Sequence, residues 1–185
     1  MEWPDNPFWD YSLALYRQPA VEAACLELQR RHGLDVNLVL LCCWQASIGG
    51  ALDAGRLARA QDAVASWQAE VVRPLRALRQ RLKVRLAQPE PGSIVARWPE
   101  LAGRLRSRVL ALELDGERLV QLALLDALAS APPSAPPGVA LAGANLRNYW
   151  AFDGRDRHAL QSLLAAAFPA AAPAAVAAAV AWLED

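Results

Sequence analysis

Apolar residues in this chain recur at three- and four-residue steps along most of its length, and alternation with a period of two is nearly absent. That spacing lines side chains along one face of a cylinder and offers no pattern from which to build a pleated strand. The fold class it dictates is all-α. Helix punctuation agrees with it. Asn6 stands before Pro7, a side-chain cap followed by a residue whose missing N–H costs nothing at the first helical position. Trp9, Ser12, Leu13 and Tyr16 follow on one face, widened by Phe8 and Leu15. Pro19 opens a second helix in the same way, through Val21, Cys25 and Leu28 to a stop at His32-Gly33. Arg30 and Arg31 sit at the end where the helix dipole favours cations. Asp35 caps a third helix from Val36 to about Ile48, apolar nearly all round and therefore predicted to be central.

Asp53 caps a long stretch to Leu86, which Ser66 or Pro74 is expected to kink or divide. Its second half carries an apolar stripe of Val71, Leu75, Leu78, Leu82 and Leu86, flanked by Arg73, Arg76, Arg79 and Lys83. After a turn at Gln88–Gly92, Pro99 opens a helix of about 30 residues. Its stripe of Leu101, Leu105, Val109 and Leu112 keeps register past Gly116 to Leu119 and Ala123. The two long segments should pack antiparallel. The expected architecture is an irregular helical bundle built on that hairpin, with shorter N-terminal and C-terminal helices.

Residues 131–138, rich in proline, read as a stiff linker. They separate a helical core over 1–130 from a C-terminal segment over 139–185 that packs back on it, giving one domain overall. That segment holds a short helix from Leu141 to Phe152, a turn at Asp153-Gly154 and a helix from Arg155 to Ala167. The alanine-rich tail either forms a last helix from Pro173 to Trp182 or frays.

Composition excludes some classes. Hydrophobic residues make up 55% and the net charge is zero, so the chain is neither disordered nor a polyelectrolyte. The start M-E-W-P-D-N-P lacks the basic and apolar regions of a secretory signal. The longest apolar run, Val36 to Trp44, falls short of the roughly 20 residues a membrane span needs. Cys25, Cys42 and Cys43 have no framework spacing and are expected as reduced thiols in a cytoplasmic protein.

Several tracts resemble a small proteobacterial family of uncharacterised proteins, a conserved domain of unknown function. They are F-W-x-Y-S-L-x-L-Y (Phe8 to Tyr16), the segment Glu22 to Leu40, C-x-W (Cys42 to Trp44) and W-x-x-E-V-V-R-P-L-R-x-L-R-x-x-L-K (Trp67 to Lys83). The resemblance covers roughly residues 8 to 130. It implies an all-helical cytosolic protein and supplies no activity, cofactor or catalytic residue.

Function therefore rests on constellations of residues. Between Val71 and Arg108 stand ten arginines and lysines against Glu90 and Glu100, whereas residues 1–50 hold six acids and three bases. A basic flank of Arg73, Arg76, Arg79 and Lys83 either docks an anionic partner or is a solvated helix face answered by acids such as Glu113, Asp115 and Glu117. Arginine predominates, which suits bidentate contacts to carboxylate or phosphate. Among seven tryptophans, Trp9 and Trp44 with Tyr16 and Trp67 form an aromatic set expected to be structural. Trp3 and Phe8 are the better interface candidates. Asn37, inside the apolar third helix, reads as a first-turn contact.

Cys25, Cys42, Cys43, His32 and His158 lack metal-ligand spacing, and no paired E-x-x-H occurs, so no metal is expected. Neither G-x-S-x-G nor a phosphate-cradling glycine loop is present, so no catalytic residue or cofactor is assigned. Three readings follow. The first is a non-enzymatic interaction or regulatory protein that binds an acidic protein through the arginine flank. The second is an enzyme or small-molecule binder with a crevice between the N-terminal helices and the hairpin. The third is RNA or DNA binding through the same arginines. Apolar surface left over on long helices also leaves a homodimer open.

Overall fold

The computed structural model describes residues 3–128 and 133–184, and among these every regular element is helical. The chain forms two compact units, a larger one of Met1–Gln61 with Leu125–Asp185 and a smaller one of Asp62–Leu124.

In the larger unit the local caps act as the sequence predicts. α1 (Pro7–Tyr16) starts where the Asn6 side chain accepts the Trp9 N–H at 2.9 Å. α2 (Pro19–His32) ends on Gly33 at φ 66°, the left-handed conformation that glycine adopts without steric cost. α3 (Val36–Ser47) is capped by Asp35, whose carboxylate accepts from the Asn37 N–H at 2.8 Å and from its side-chain amide at 3.2 Å. Asn37 is thus a first-turn contact. α3 is buried along nearly its whole length and packs on α8 (Val139–Tyr149). α2 packs on α9 (Arg157–Ala167), and α8 on α10 (Pro173–Ala179). Phe8, Leu28, Leu41, Leu146, Leu160 and Leu163 are fully buried. Each such side chain contributes about 1.5–3 kcal/mol relative to exposure. Val176, Val180 and Leu183 are buried too, so the alanine-rich tail is docked.

Two polar devices shape this core. Asn145, 1% exposed, donates to the Cys42 and Gly50 carbonyls at 3.1 Å each and accepts the Leu52 N–H at 2.8 Å. It satisfies the backbone where α3 gives way to α4 (Ala54–Trp67), which Asp53 caps. The described part of the proline-rich segment, residues 133–138, crosses the end of α3 without helix. Ser134 and Ala135 donate to the Gly49 carbonyl, and Gly138 to that of Ala46. Ala131 and Pro132 lie outside the described residues.

The smaller unit is an antiparallel helix hairpin. The end of α4 passes through a π turn, Gln68–Val72, into α5 (Arg73–Ala87). Pro74 explains the wider turn. It has no N–H to give the carbonyl four residues back, and its ring would clash there, so the preceding turn opens and the Arg73 N–H reaches Gln68 instead. A short α6 (Ile94–Arg97), with Ser93 as its cap, leads to the 30-residue α7 (Pro99–Leu128), whose last turn from Leu125 belongs to the larger unit.

The face α7 turns inward differs from the expected stripe. Val109, Glu113, Gly116 and Val120 are buried, while Leu101, Leu105, Leu112 and Leu119 are 41–55% exposed. Gly116 permits the closest approach, since a Cβ there would lie 3.3 Å from Val72. Val71 of the π turn and Leu75, Leu82 and Leu86 of α5 are half-buried, and Leu78 is exposed.

Candidate functional site

All four arginine-flank residues stand on α5, and the structure divides them. Arg76 and Arg79 turn toward α7. Nε of Arg76 donates to Glu113 at 3.1 Å and its Nη2 to Glu117. Arg79 grips both oxygens of Glu113, Nη2 lying 3.1 Å from Oε1. The Glu113 hydrogen bond raises the Arg79 pKa from its ordinary value. Arg73 and Lys83 are exposed, as are Arg81 and Arg85, and none of the four makes an ion pair with a described residue. At 100° per residue, Arg73, Arg81, Val84 and Arg85 fall on the outward side of α5, whereas Lys83, though exposed, falls in angle between Arg76 and Arg79, one turn further along. Val84 is 63% exposed among these guanidinium groups.

The charge of the smaller unit reinforces this face. Residues 62–124 carry eleven bases and seven acids, a net +4, and the rest of the chain carries the compensating −4. Such a face can pair carboxylates bidentately while covering an apolar side chain.

The aromatic set is split between the units. In the larger one Trp44 stacks on buried Phe8, ring centroids 5.3 Å apart, and Trp9 and Tyr16 are half-buried on α1. Phe8, expected as an interface residue, is instead wholly inside the core. Trp67 belongs to the smaller unit, where its Nε1 donates to the Gly116 carbonyl at 3.2 Å. Beside it Ala63, Val64, Leu119, Val120 and Ala123 line an apolar pocket of about 250 Å³.

Sequence reasoning missed one polar cluster, because its members are more than a hundred residues apart. Asp156 is fully buried. It accepts from His32 Nε2 at 2.9 Å, from Arg31 Nη1, and from the Asp153 backbone N–H at 2.9 Å. Arg31 also reaches Asp153 at 3.1 Å. Hydrogen bonds from Arg155 above all hold the Asp153 carboxyl well below the usual carboxylate range. Trp150 and Phe152 enclose the His32 ring at 6.0 and 5.8 Å between centroids. Three donors from distant and local residues converge on the Asp156 carboxylate, so the cluster joins α2 to the start of α9. The only local signal was the Asp153…Asp156 capping box.

The three cysteines are buried. Burial pushes the Cys25 thiol up to about 12 and raises those of Cys42 and Cys43 as well, which keeps them protonated and unreactive. Among the described residues no group of three or more His, Cys, Asp or Glu could hold a metal ion, and no helix is long and apolar enough to cross a membrane.

Comparison with curated proteins and with solved structures finds no match. The family described as "Protein of unknown function (DUF2390)" matches residues 7–124, which span α1 to α7 and with them the whole basic hairpin, and the chain belongs to that family.

Proposed function

We propose that the protein is a non-enzymatic interaction protein that docks an acidic protein partner on the outward face of α5. The observation that carries this reading is the division of the arginines. Glu113 and Glu117 engage Arg76 and Arg79 and hold the hairpin together, which leaves Arg73, Arg81, Lys83 and Arg85 in water. Four solvated cations on one short helix repel one another, and carboxylates of a partner relieve that repulsion.

Interleaved apolar residues favour a protein over nucleic acid. Leu78 and Val84 are exposed on the same helix. A phosphate backbone rewards cations alone, whereas a protein interface couples arginine to buried apolar contact.

The test is a quantitative pull-down with the wild-type chain and with Arg73→Glu, Arg81→Glu, Lys83→Glu and Arg85→Glu combined. The four positions are exposed, so the variant should fold. An acidic protein enriched by the wild type and lost in the variant is the expected result. Identical partner lists would count against docking on α5, and salt-sensitive retention of RNA or DNA alone would move the assignment to nucleic acid.

A further inference from the structure

α7 presents to solvent a second face that neither the hairpin nor the basic helix uses. Leu105, Leu112 and Leu119 recur every seven residues, preceded by Leu101, and Trp98 stands just before the helix with the Arg97 guanidinium over its ring. Trp98 is 46% exposed, and the leucines are exposed to a similar degree. A seven-residue repeat keeps a stripe aligned with a neighbouring helix, and solvent exposure leaves the leucines open to one.

We propose that this stripe is a self-association face, on which a second copy of the chain docks with its α7 antiparallel. Two observations select a second copy. The first is charge. Two charged residues interrupt the stripe, Arg108 and Asp115, both exposed and neither in an ion pair with a described residue. They lie on opposite sides of Leu112. A two-fold axis crossing the helices near Leu112 sets Leu105 of one copy against Leu119 of the second copy. The same axis brings Arg108 beside Asp115 of the second copy, and symmetry makes that pair twice. A parallel two-fold arrangement would instead put the two Arg108–Asp115 flanks on opposite sides of the interface, where they could not pair.

The second observation is area. The four leucines and Trp98, about half exposed, present on the order of 500 Å² of largely apolar surface. A standard interface takes about 800 Å² from each partner, of which somewhat more than half is apolar, so the stripe supplies the required share. The apolar pocket adds a socket. It lies at the Leu119 end, and the two-fold axis carries Leu101 of the second copy toward Ala123, where about 250 Å³ is open.

This face is distinct from the α5 surface, so either proposal can fail alone. The experiment is sedimentation of the full chain over a dilution series, with Leu112→Glu, Arg108→Asp, Asp115→Arg and the double swap R108D/D115R. Circular dichroism and thermal melting verify each fold. The wild type should be a reversible dimer and Leu112→Glu a folded monomer. Each single charge change should raise the dissociation constant about ten-fold, and the double swap should return it to within about three-fold of wild type. A wild type that stays monomeric at every soluble concentration overturns the proposal. So does a dimer untouched by Leu112→Glu, or a double swap as weak as the two single changes summed.

Discussion

His32 donates from Nε2 to Oδ2 of Asp156 across 2.9 Å, a bond between residues on α2 and at the threshold of α9. Asp156 is fully buried, and Arg31 shares the same carboxylate. Removing one partner from a buried charged cluster leaves the others desolvated without compensation. Asp156→Ala should therefore lower unfolding stability by about 3–5 kcal/mol. His32→Ala should cost about 1–3 kcal/mol, since Arg31 still neutralises the acid. Urea unfolding measures both, and equal, near-zero changes would contradict the role given to this cluster.

The thiols give a chemical readout of the core. Thiolate is the reactive form, and Cys25 titrates near 12 because it is buried. At pH 8 none of the three cysteines should react with a disulfide reagent until denaturant is added, when all three should. The linkage has a definite sign. The folded pKa is raised above the ordinary value of 9.0, so the folded state keeps a proton that the unfolded state releases. That stabilising contribution is complete below pH 9 and is lost as pH climbs toward 12. Replacing Cys25 by Ala should flatten the alkaline limb of a stability–pH curve; an unchanged limb would contradict the assignment.

Glu113 is the buried acid of the hairpin, held by Arg76 and Arg79. Glu113→Ala should destabilise the protein by about 2–4 kcal/mol, because two guanidinium groups lose their acceptor. A double-mutant cycle with Arg79→Ala should show a coupling of at least about 1 kcal/mol. Additive losses would mean that the ion pair is only a surface contact.

Gly143 of α8 faces α10 so closely that a Cβ would fall 2.1 Å from the Ala179 carbonyl oxygen. Gly143→Ala should force the two helices apart and cost about 1–3 kcal/mol despite the better helix propensity of alanine. A thermal melt reports it, and a stabilised variant would contradict the packing.

Local signals were legible in the sequence and distant ones were not. The caps at Asn6, Asp35 and Asp53, the proline starts of α1, α2 and α10, and the passage of α7 through Gly116 all depend on residues within a turn or two, so spacing reveals them. Pro74 marked the point where the long stretch changes, though not that a π turn absorbs it. The inward face of α7 is not its most hydrophobic one. Leu101, Leu105, Leu112 and Leu119 are the more hydrophobic row, yet Val109, Glu113, Gly116 and Val120 are buried, because Gly116 allows close approach and Arg76 and Arg79 neutralise Glu113. Hydrophobicity along one helix cannot tell a face that meets its own chain from one left open. Of the arginine flank, its place on one helix was readable. Which of its members meet acids was not, because that depends on the register between α5 and α7. The His32–Asp156 bond and the Asn145 hub needed the tertiary fold itself.

The proposed docking of an acidic partner on α5 is tested most directly by placing a photo-crosslinking residue at Val84, which stands exposed among Arg73, Arg81 and Arg85, and another at Leu26, 50% exposed on α2 of the acidic larger unit. Val84 should give a discrete adduct with an acidic protein, suppressed by excess polyglutamate, and Leu26 should give none. Adducts of equal yield at both positions, or none at Val84, would contradict it.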